Sequence, residues 1–472
     1  MIRRVLPLVG LAFAGALTAR AARRRRVLRP TSTGPRVVIL GAGFAGIAAA
    51  RALGPRLHER AQVILVDQHN YHLFTPMLFQ VASSGIDPYN IAVPARQVAT
   101  RRGVDFRRGV IRAIDLDQKR VELEDGTLAY DYLIVALGAA TNFHGNSGAQ
   151  QHALPLKWLE DGIAVRHRVI DALEQAAEAK DPAERRALLT FVVVGGGATG
   201  VETAAALADL FDNTAGGDYP SLHRDEIRII VLQSSDRLLP EWSERMSTLA
   251  LDHLKDVGVE VWLNTRAKDV EPNRVTAEDG RDVETRTVIW TTGVRAPDVV
   301  ATLDAPHGKG GSLAVDGYLQ LEDHPGVFAA GDSAHVIDPK TNGSVPMLAQ
   351  SATREGEAVA ENVVRAIEGR PLEPFVYHSL GNAVSFGRQA GAVEVQGILV
   401  DGLLGGLAWR AIHVARITSL RDQIGTAIDW TSDYFGTQDT VRIELDPPER
   451  AVDQKVSSDK DLGAELDRRA SS

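Results

Sequence analysis

One motif occurs twice in this chain, and it restricts the folds that the chain can adopt. VVILGAGFAGIAAARAL begins at Val37 and FVVVGGGATGVETAAAL begins at Phe191, with seven identical residues over 17 aligned positions. Each copy places G-x-G-x-x-G between a short run of β-branched residues and an alanine-rich stretch. A glycine turn that follows a strand and opens a helix is typical of dinucleotide-binding α/β units. The sequence therefore predicts two such units.

The three glycines of each motif have separate tasks. The first permits a tight turn, the second lets a pyrophosphate approach the backbone, and the third lets the helix pack against the strand. The phosphates would then lie on unpaired N–H groups at the helix N-terminus. The glycines concerned are Gly41, Gly43 and Gly46 in the first copy and Gly195, Gly197 and Gly200 in the second.

The residue that ends the next strand differs between the two copies. In the first copy it is Asp67, 21 residues after Gly46, where an acid would hold a ribose hydroxyl. In the second copy it is Gln233, which accepts a hydroxyl hydrogen bond but does not repel a 2′-phosphate. We therefore predict that NADPH is accepted beside NADH; a neutral exchange without effect on cofactor choice is the alternative. Nearby candidates for binding the phosphate are Ser234, Ser235 and Arg237.

The lack of cysteine excludes several kinds of chemistry. With no cysteine among 472 residues, this chain cannot form disulfides, thiolate metal sites or sulfur-based redox centres. His69 and His72 have no third ligand at a telling spacing, so we expect packing roles and no metal site. The net charge of −9 argues against nucleic acid as a partner.

The first 30 residues form a basic segment with an apolar centre. They contain eight arginines and no acid, on a chain that is acidic overall, which favours an anionic lipid bilayer surface as a partner. The 15 uncharged residues 5–19 are short for a membrane span. Because four arginines follow at 23–26, we favour an uncleaved anchor or a membrane-lying helix on the cytoplasmic side. A cleaved signal peptide and an incidental tail are the alternatives.

Four further segments resemble flavoproteins with two dinucleotide-binding domains. They are NYHLFTPMLFQVASSGIDPYNIAVPAR (70–96), LIVALGAAT (133–141), TVIWTTGV (287–294) and GVFAAGDSA (326–334). Within that superfamily the chain is similar to the type II NADH:quinone oxidoreductases, or alternative NADH dehydrogenases, over about residues 36–445. The resemblance implies FAD and NADH as cofactors.

The resemblance also implies an architecture. It is an α/β fold with two Rossmann-like dinucleotide-binding domains, the NAD unit being inserted in the FAD unit, and a C-terminal membrane-facing α/β segment. The expected segments are 1–30, a membrane anchor or signal-like segment; 31–150, the first part of the FAD domain; 151–305, the NAD(P)H domain; 306–372, the second part of the FAD domain with the quinone-site helix; 373–446, a membrane-associating region; and 447–472, a polar tail.

Individual residues receive roles from the same resemblance. Asp332 would hydrogen-bond the ribityl chain of FAD, and Gly331 would give that chain room. Glu202 would approach the nicotinamide, although the helix dipole alone favours an acid in a first helical turn. Further cofactor contacts are expected from Phe44, Ala45, Thr75, Gly138, Thr199, Gly293, Ala349 and Gln350.

The quinone site is expected in residues 346–363, where family members commonly show A-Q-x-A-x-Q. This chain keeps Ala349 and Gln350 but has Arg354 in place of the second glutamine. A spacing of four places Gln350 and Arg354 on one helix face, and we take both, with Glu202, as catalytic candidates. Arg354 could stabilise a reduced flavin or a quinone oxygen, or it could pair with Glu202 or another acid.

Residues 403–435 combine an apolar stripe with aromatic residues and arginines. Leu404 and Leu407, and later Ile424 and Ile428, recur at helical spacing. This pattern favours helices in the membrane interface, although a core helix or a dimer-contact helix would show the same periodicity. Residues 377–397 are expected to form strands. The aromatic residues that we expect at the interface are Trp409, Trp430 and Tyr434.

These expectations define one main function and two alternatives. The chain would pass hydride from NADH, and also from NADPH, to FAD, and two electrons onward to a membrane quinone without pumping protons. We expect it at the cytoplasmic face of the cell membrane, peripheral or N-terminally anchored, as a homodimer. The alternatives are a flavoprotein reductase for a soluble carrier of the ferredoxin or rubredoxin type, and a redox sensor without turnover.

Overall fold

The computed structural model of the chain describes residues 34–435 and 438–442. The expectations for the basic N-terminal segment (1–30) and for the polar tail (447–472) fall outside these residues. Within the described part, each glycine motif lies in its own parallel sheet, and an α/β segment follows. The predicted fold class is confirmed, whereas the expected domain boundaries remain predictions.

The first glycine motif belongs to a five-stranded parallel sheet. Its strands run in the order Val327–Ala329, Tyr132–Val135, Arg36–Leu40, Gln62–Asp67 and Asp105–Arg108. The central strands are buried over nearly their whole length, as their runs of valine, isoleucine and leucine require. The edge strand comes from a segment that follows the entire second unit. The first unit is therefore completed by chain from beyond the second.

The second motif belongs to a sheet of the same design. Its parallel strands run in the order Leu154–Pro155, Thr287–Trp290, Thr190–Val194, Arg228–Leu232 and Val259–Trp262. In both units an antiparallel meander follows the outermost of these strands: Ile111–Asp115, Arg120–Leu123 and Gly126–Ala129 in the first, and Ala267–Glu271, Arg274–Ala277 and Asp282–Glu284 in the second. The repeat therefore extends well beyond the 17 aligned positions.

The backbone geometry requires glycine at the first and third positions of each motif. Gly41 and Gly195 have φ angles of +99° and +115°, which side chains rarely permit. A Cβ atom on Gly46 or Gly200 would lie 1.8 Å from the carbonyl oxygen of the first glycine of its motif. These glycines let the helix begin directly against the end of the strand.

The middle glycines face open space at the start of two helices, α1 (Phe44–Leu57) and α2 (Ala198–Thr214). A Cβ atom on Gly43 or Gly197 would meet no atom within 4 Å. Neither glycine can cap its helix with a side chain, so the first N–H groups of both helices stay available to an anion.

A third helix, α3 (Ala349–Ile367), crosses α1 at very short range. A Cβ atom on Gly356 would lie 2.1 Å from the carbonyl oxygen of Ala45, so only glycine allows this approach. The crossing brings the start of α3 beside the first glycine motif. Arg56 and Glu361 form an ion pair between the same helices at 2.6 Å, and Arg60 and Glu368, just beyond their ends, form another at 2.7 Å.

The remaining helices and ladders complete the frame. The other helices are Leu78–Ala82, Ala95–Thr100, Ser147–His152, Leu159–Glu178, Pro182–Leu188, Glu244–Asp256 and Asp298–Ala301. Two-stranded ladders pair Tyr71–Leu73 with Ala92–Pro94, Leu313–Ala314 with Ala334–His335, and Ala140–Thr141 with Val294–Arg295. The last ladder links the two units just beyond their strands Tyr132–Val135 and Thr287–Trp290, so the carboxyl edges of both sheets lie close together.

An antiparallel sheet and two helices follow α3. The strands are Asn382–Ser385, Gly391–Val395 and Ile398–Val400, and the helices are α4 (Gly402–Arg416) and α5 (Leu420–Phe435). Strands and helices were both expected here. Among the described residues, none of the helices has both the length and the apolar composition that crossing a membrane demands.

The helices α4 and α5 expose the apolar stripe that the sequence pattern indicated. Leu404 is 68% exposed and Leu407 is 51% exposed, while Ile424 and Ile428 are 53% and 61% exposed. Large apolar side chains exposed at helical spacing on two successive helices are more than a scattered surface residue would explain.

The expected interfacial position of Trp409 is wrong. Trp409 is 1% exposed, because its indole stacks on His413 with ring centroids 4.0 Å apart and meets Phe79 edge-on at 5.8 Å. Trp430 is half-buried, and its indole N–H donates to Oε1 of Gln80 at 2.9 Å. Periodicity alone did not distinguish the inner from the outer face of α4.

Substituting Gly356 by alanine is expected to separate α1 from α3. The new methyl group would overlap the Ala45 carbonyl, and relief of such overpacking typically costs about 1–3 kcal/mol. The variant should unfold at a lower temperature and retain less flavin through purification. The control is Gly317→Ala, which adds the same methyl group where no atom lies within 4 Å. Equal thermal stability and flavin content in both variants would refute this role for Gly356.

Candidate active site

A cleft opens at the carboxyl ends of the first sheet, where ligands of such sheets bind. It unites glycine-motif residues with residues from much later in the chain. The predicted residues that line it are Gly41, Gly43, Phe44, Ala45, Asp67, Thr75, Gly138, Gly331 and Asp332. Gly46 does not line it, because its α-carbon is packed against the turn. The open space at Gly43 and the unpaired N–H groups of α1 fit the pyrophosphate of FAD.

Asp67 is held at the edge of this cleft by two backbone groups. Its Oδ2 accepts the N–H of Ala42 at 2.6 Å, and its Oδ1 accepts the N–H of His69 at 2.7 Å. Burial raises the pKa of this carboxyl despite the two hydrogen bonds. A carboxylate keeps further lone pairs after two such bonds, so Asp67 can still accept a ribose hydroxyl.

His72 supports the glycine turn from behind. Its Nδ1 lies 2.9 Å from the carbonyl oxygen of Ala42, and its ring meets Phe44 edge-on at 5.0 Å. Burial lowers the pKa of His72 to about 4, so the ring is neutral near pH 7 and Nδ1 donates to the carbonyl. His72 therefore has a packing role. Among the residues that the structure describes, no group of three histidine or acidic side chains stands together as a metal site would require.

Asp332 shares its carboxylate with a lysine that the sequence analysis missed. Nζ of Lys157 donates to Oδ2 of Asp332 at 3.1 Å, and both side chains are mostly buried. Lys157 also lines the central cavity described below. No motif surrounds Lys157, and 175 residues separate it from Asp332, so the sequence carried no signal for the pair.

The turn at Gly331 is held by a second missed residue. The N–H of Gly331 donates to Oε2 of Glu355 at 2.6 Å, and Glu355 is only 3% exposed. Burial, together with the charge of Asp332, raises the pKa of Glu355 to about 7. Helical periodicity in the sequence could have predicted that Glu355 is buried, because Glu355 shares a face of α3 with the buried residues Ala352 and Val359.

A second cleft lies at the carboxyl edge of the second sheet and is lined by Gly195 and Gln233. Oε1 of Gln233 accepts the N–H of Gly196 at 2.8 Å, just as Asp67 accepts the N–H of Ala42. Nε2 of Gln233 donates to Oγ of Ser235 at 2.5 Å. The buried end of this cleft is therefore neutral.

Arg237, a candidate for the phosphate contact, does not line this cleft. Its guanidinium donates instead to the carbonyl oxygens of Pro240 and Trp242, at 2.6 and 3.3 Å. Ser235 is also engaged, because its hydroxyl donates to the carbonyl of Arg237 at 2.9 Å. Of the three candidates for the phosphate, Ser234 is the one that lines the cleft.

Two cationic side chains that the sequence analysis missed line this cleft. They are Arg266 and Lys268, from the turn and first strand of the second meander. Nε of Arg266 lies 3.8 Å from the Glu278 carboxylate, and both side chains are more than 60% exposed, so this pair is loose. Both cations are therefore available to a charged group bound in this cleft.

The two clefts meet a central cavity of about 390 Å³. Phe44, Thr75, Lys157 and Asp332 belong to both this cavity and the first cleft. The predicted residues that line the central cavity are Phe44, Thr75, Thr199, Glu202, Gly293, Asp332, Ala349 and Gln350. Gly197 and Gly200 do not line it. The nicotinamide and flavin contacts expected from distant segments therefore converge on one space.

Glu202 lies at the wall of the central cavity, where burial favours its protonated form. It is 7% exposed, and its Oε1 accepts the N–H of Ser385 at 2.9 Å. Burial raises the pKa of Glu202 to about 8, although the Ser385 hydrogen bond opposes this shift. At neutral pH the side chain can therefore hold a proton beside the cavity.

Gln350 and Arg354 have different surroundings despite their shared helix face. Gln350 lines the central cavity, and its amide is fixed by the N–H of Leu380 and the carbonyl of Gly381, both at 3.0 Å. Arg354 lines a neighbouring cavity, which Gln350 also lines, and does not reach the central one. Among the described residues it makes no ion pair with Glu202, whose carboxyl is bonded to Ser385.

Comparison with known proteins places this arrangement among flavoenzymes. The profile of the family called Pyridine nucleotide-disulphide oxidoreductase matches residues 35–356. A type II NADH:quinone oxidoreductase of Mycobacterium tuberculosis is 32% identical over 430 residues, which are 87% of this chain and 90% of that protein. The demethylphylloquinone reductase of Synechocystis is 30% identical, over 86% of this chain and 98% of that protein.

A solved structure has the same fold. NDH2 of Plasmodium falciparum in complex with NADH superposes with a TM-score of 0.80 at 18% sequence identity. The match covers 86% of this chain and all of that chain.

Substituting Glu202 by glutamine is expected to flatten the dependence of stability on pH. Between pH 4.5, the ordinary pKa of the exposed side chain, and about 8, the folded protein keeps a proton that the unfolded chain has lost. The free energy of unfolding of the unmodified protein therefore falls as pH rises through this window, by at most about 1.4 kcal/mol per pH unit for one group. An amide loses no proton, so the variant lacks this contribution.

The measurement is denaturant unfolding of both proteins across this pH window. Glu322→Gln, which removes an exposed carboxyl, is the control and should follow the unmodified protein. Parallel pH profiles for the unmodified protein and Glu202→Gln would show that Glu202 is already ionised in the folded state.

Proposed function

Since this chain belongs to the pyridine nucleotide-disulphide oxidoreductase family and, within it, to the type II NADH:quinone oxidoreductases, we propose that it oxidises NADH and reduces a membrane quinone without pumping protons. The observation that carries this proposal is the central cavity. It joins the expected FAD cleft to Glu202 and Thr199 on one side and to Gln350 on the other.

FAD, the cofactor of this family, takes up a hydride from NADH and releases two electrons to an acceptor when it is bound. The protein's own part is to position the reactants. Asp67, Gly331 and Asp332 would hold the FAD nucleotide and ribityl chain, and the N-terminus of α1 its pyrophosphate. Thr199 and Glu202, at the start of α2, would face the nicotinamide.

Quinone reduction also requires two protons, and the chain offers a donor beside the cavity. Glu202 is protonated at neutral pH because it is buried, and it lines the same space as Gln350. Gln350 would mark the acceptor end, since its amide is anchored to the loop at Leu380 and Gly381. The acceptor must be one that needs no thiol relay, because this chain has no cysteine.

The helices α4 and α5 would place the enzyme on the bilayer surface. Their exposed leucine and isoleucine side chains suit shallow insertion into the headgroup region, where a lipid-soluble quinone is at hand. The arginines at 23–26 favour the cytoplasmic face. The homodimer remains a prediction, which sedimentation of the detergent-solubilised protein would test.

Substituting Gln350 by alanine should separate the two halves of the reaction. Reduction of the bound flavin by NADH, followed as bleaching of its absorbance, should stay close to the unmodified rate. Steady-state reduction of a short-chain quinone should fall, by about tenfold or ~1.4 kcal/mol, since an acceptor contact is lost. Gln150→Ala, at an exposed site outside the cavity, should change neither rate.

The same assays decide between the candidate functions. Reoxidation by a ferredoxin or rubredoxin but not by quinone would favour the carrier reductase. A flavin that NADH does not bleach would favour a sensor, and a protein that stays colourless with added FAD would contradict the proposal as a whole.

Substituting Gln233 by glutamate should make NADPH a poorer substrate than it is for the unmodified enzyme. The new carboxylate would repel the 2′-phosphate, so kcat/KM for NADPH should fall relative to NADH by at least about tenfold. Lys268→Ala should lower kcat/KM for NADPH but not for NADH, because this side chain lines the second cleft. Lys255→Ala removes an exposed lysine outside the cleft and is the control. Equal losses with both nucleotides would argue against a phosphate site here.

A further inference from the structure

Beside the central cavity lies a second cavity of about 570 Å³ with an unusual charge. Its wall contains four arginines from three helices and a loop: Arg51 of α1, Arg102 after Ala95–Thr100, Arg354 of α3 and Arg416 at the end of α4. One carboxylate, Glu357, lines the same space. Four positive charges against one negative charge leave a formal charge of +3 on the wall.

The other titratable groups of the wall do not offset this charge. His72 and His413 also line the cavity, and burial lowers the pKa of each to about 4, so both rings are neutral at pH 7. Within the described part of the chain, none of the four arginines forms an ion pair within 4.0 Å.

Two of the four arginines, Arg354 and Arg416, are close enough to repel each other. Burial, and then the charge of Arg354, lower the pKa of Arg416. Like charges held together across a partly enclosed space are costly unless an anion joins them. Guanidinium groups in this arrangement suit phosphate, which they bind through paired N–H donors.

The position of the cavity indicates which phosphate it would meet. Ala415, Arg416 and Thr418 line it at the junction of α4 and α5. The neighbouring surfaces of these helices are apolar, with Leu407 51% exposed and Leu420 69% exposed. A phospholipid with its acyl chains along these leucines would have its headgroup at the junction.

We propose that this cavity, the arginine cavity, binds the phosphate of an anionic phospholipid headgroup through Arg51, Arg102, Arg354 and Arg416. The proposal rests on the proposed membrane location, and the arginine cavity adjoins the central cavity, with which it shares Gln350 and Arg416. It also assigns Arg354 a ligand of its own.

The test measures thermal unfolding of the full-length, flavin-loaded protein with soluble short-chain lipids below their micellar concentration. Dihexanoylphosphatidylglycerol should raise the unfolding temperature in a saturable manner, because a ligand of the folded state stabilises it. Dihexanoylphosphatidylcholine, whose choline cation would face the arginines, should raise it much less. Inorganic phosphate at the same concentration distinguishes a lipid site from a site for the free ion.

Variants then locate the effect. Arg354→Gln combined with Arg416→Gln should abolish the shift caused by phosphatidylglycerol, whereas Arg421→Gln, which removes an exposed arginine of α5 outside the cavity, should preserve it. If the double variant does not fold, Arg51→Gln, at an exposed position of α1, should weaken apparent binding by about tenfold, as expected for loss of one charge-assisted contact.

Three results would overturn the proposal: no shift with phosphatidylglycerol, an equal shift with inorganic phosphate, or a full shift in both the double variant and Arg51→Gln. Bleaching by NADH is measured on the same preparations. A protein that NADH does not bleach but that phosphatidylglycerol stabilises would contradict the proposed function and leave the lipid site standing.

Discussion

The structure depends on how closely a helix can begin against the end of a strand. In both units the α-carbon of the third motif glycine touches the carbonyl of the first, with no room for a side chain. This contact aims the N-termini of α1 and α2 at the carboxyl edges of their sheets. Gly356 has the same effect between two helices, because its lack of a side chain lets α3 pack closely against α1. The clefts and the central cavity lie where these contacts bring the backbone together.

Buried carboxyl groups complete the site, and each holds a piece of backbone. Asp67 accepts the N–H of Ala42, Glu202 that of Ser385, and Glu355 that of Gly331. Burial raises the pKa of all three. A buried acid is tolerated when it is hydrogen-bonded, and each of these three carboxyl groups accepts a backbone N–H. The groups that would meet cofactor and substrate therefore also fix the turns around them.

Local sequence patterns made part of the fold and part of the candidate site predictable. The glycine spacing was enough to predict both turns, and the end of the strand after each motif was enough to identify Asp67 and Gln233. Each of these predictions uses residues that are near one another in the sequence. The pairing of Lys157 with Asp332 and the burial of Trp409 depend on segments that only the tertiary fold brings together. The position of Arg237 outside the second cleft was unpredictable for the same reason, since its guanidinium donates to nearby carbonyl groups that no motif describes.

The strand order has a consequence for synthesis on the ribosome. All strands of the second sheet lie in one stretch of the chain, from Leu154–Pro155 to Thr287–Trp290. The first sheet is complete only after Val327–Ala329 has been made, and its cleft only after α3 has been made. The inner unit is therefore the first whose sheet can close as the polypeptide emerges. The outer unit remains an open scaffold, with one edge unpaired, until the inserted unit has been made.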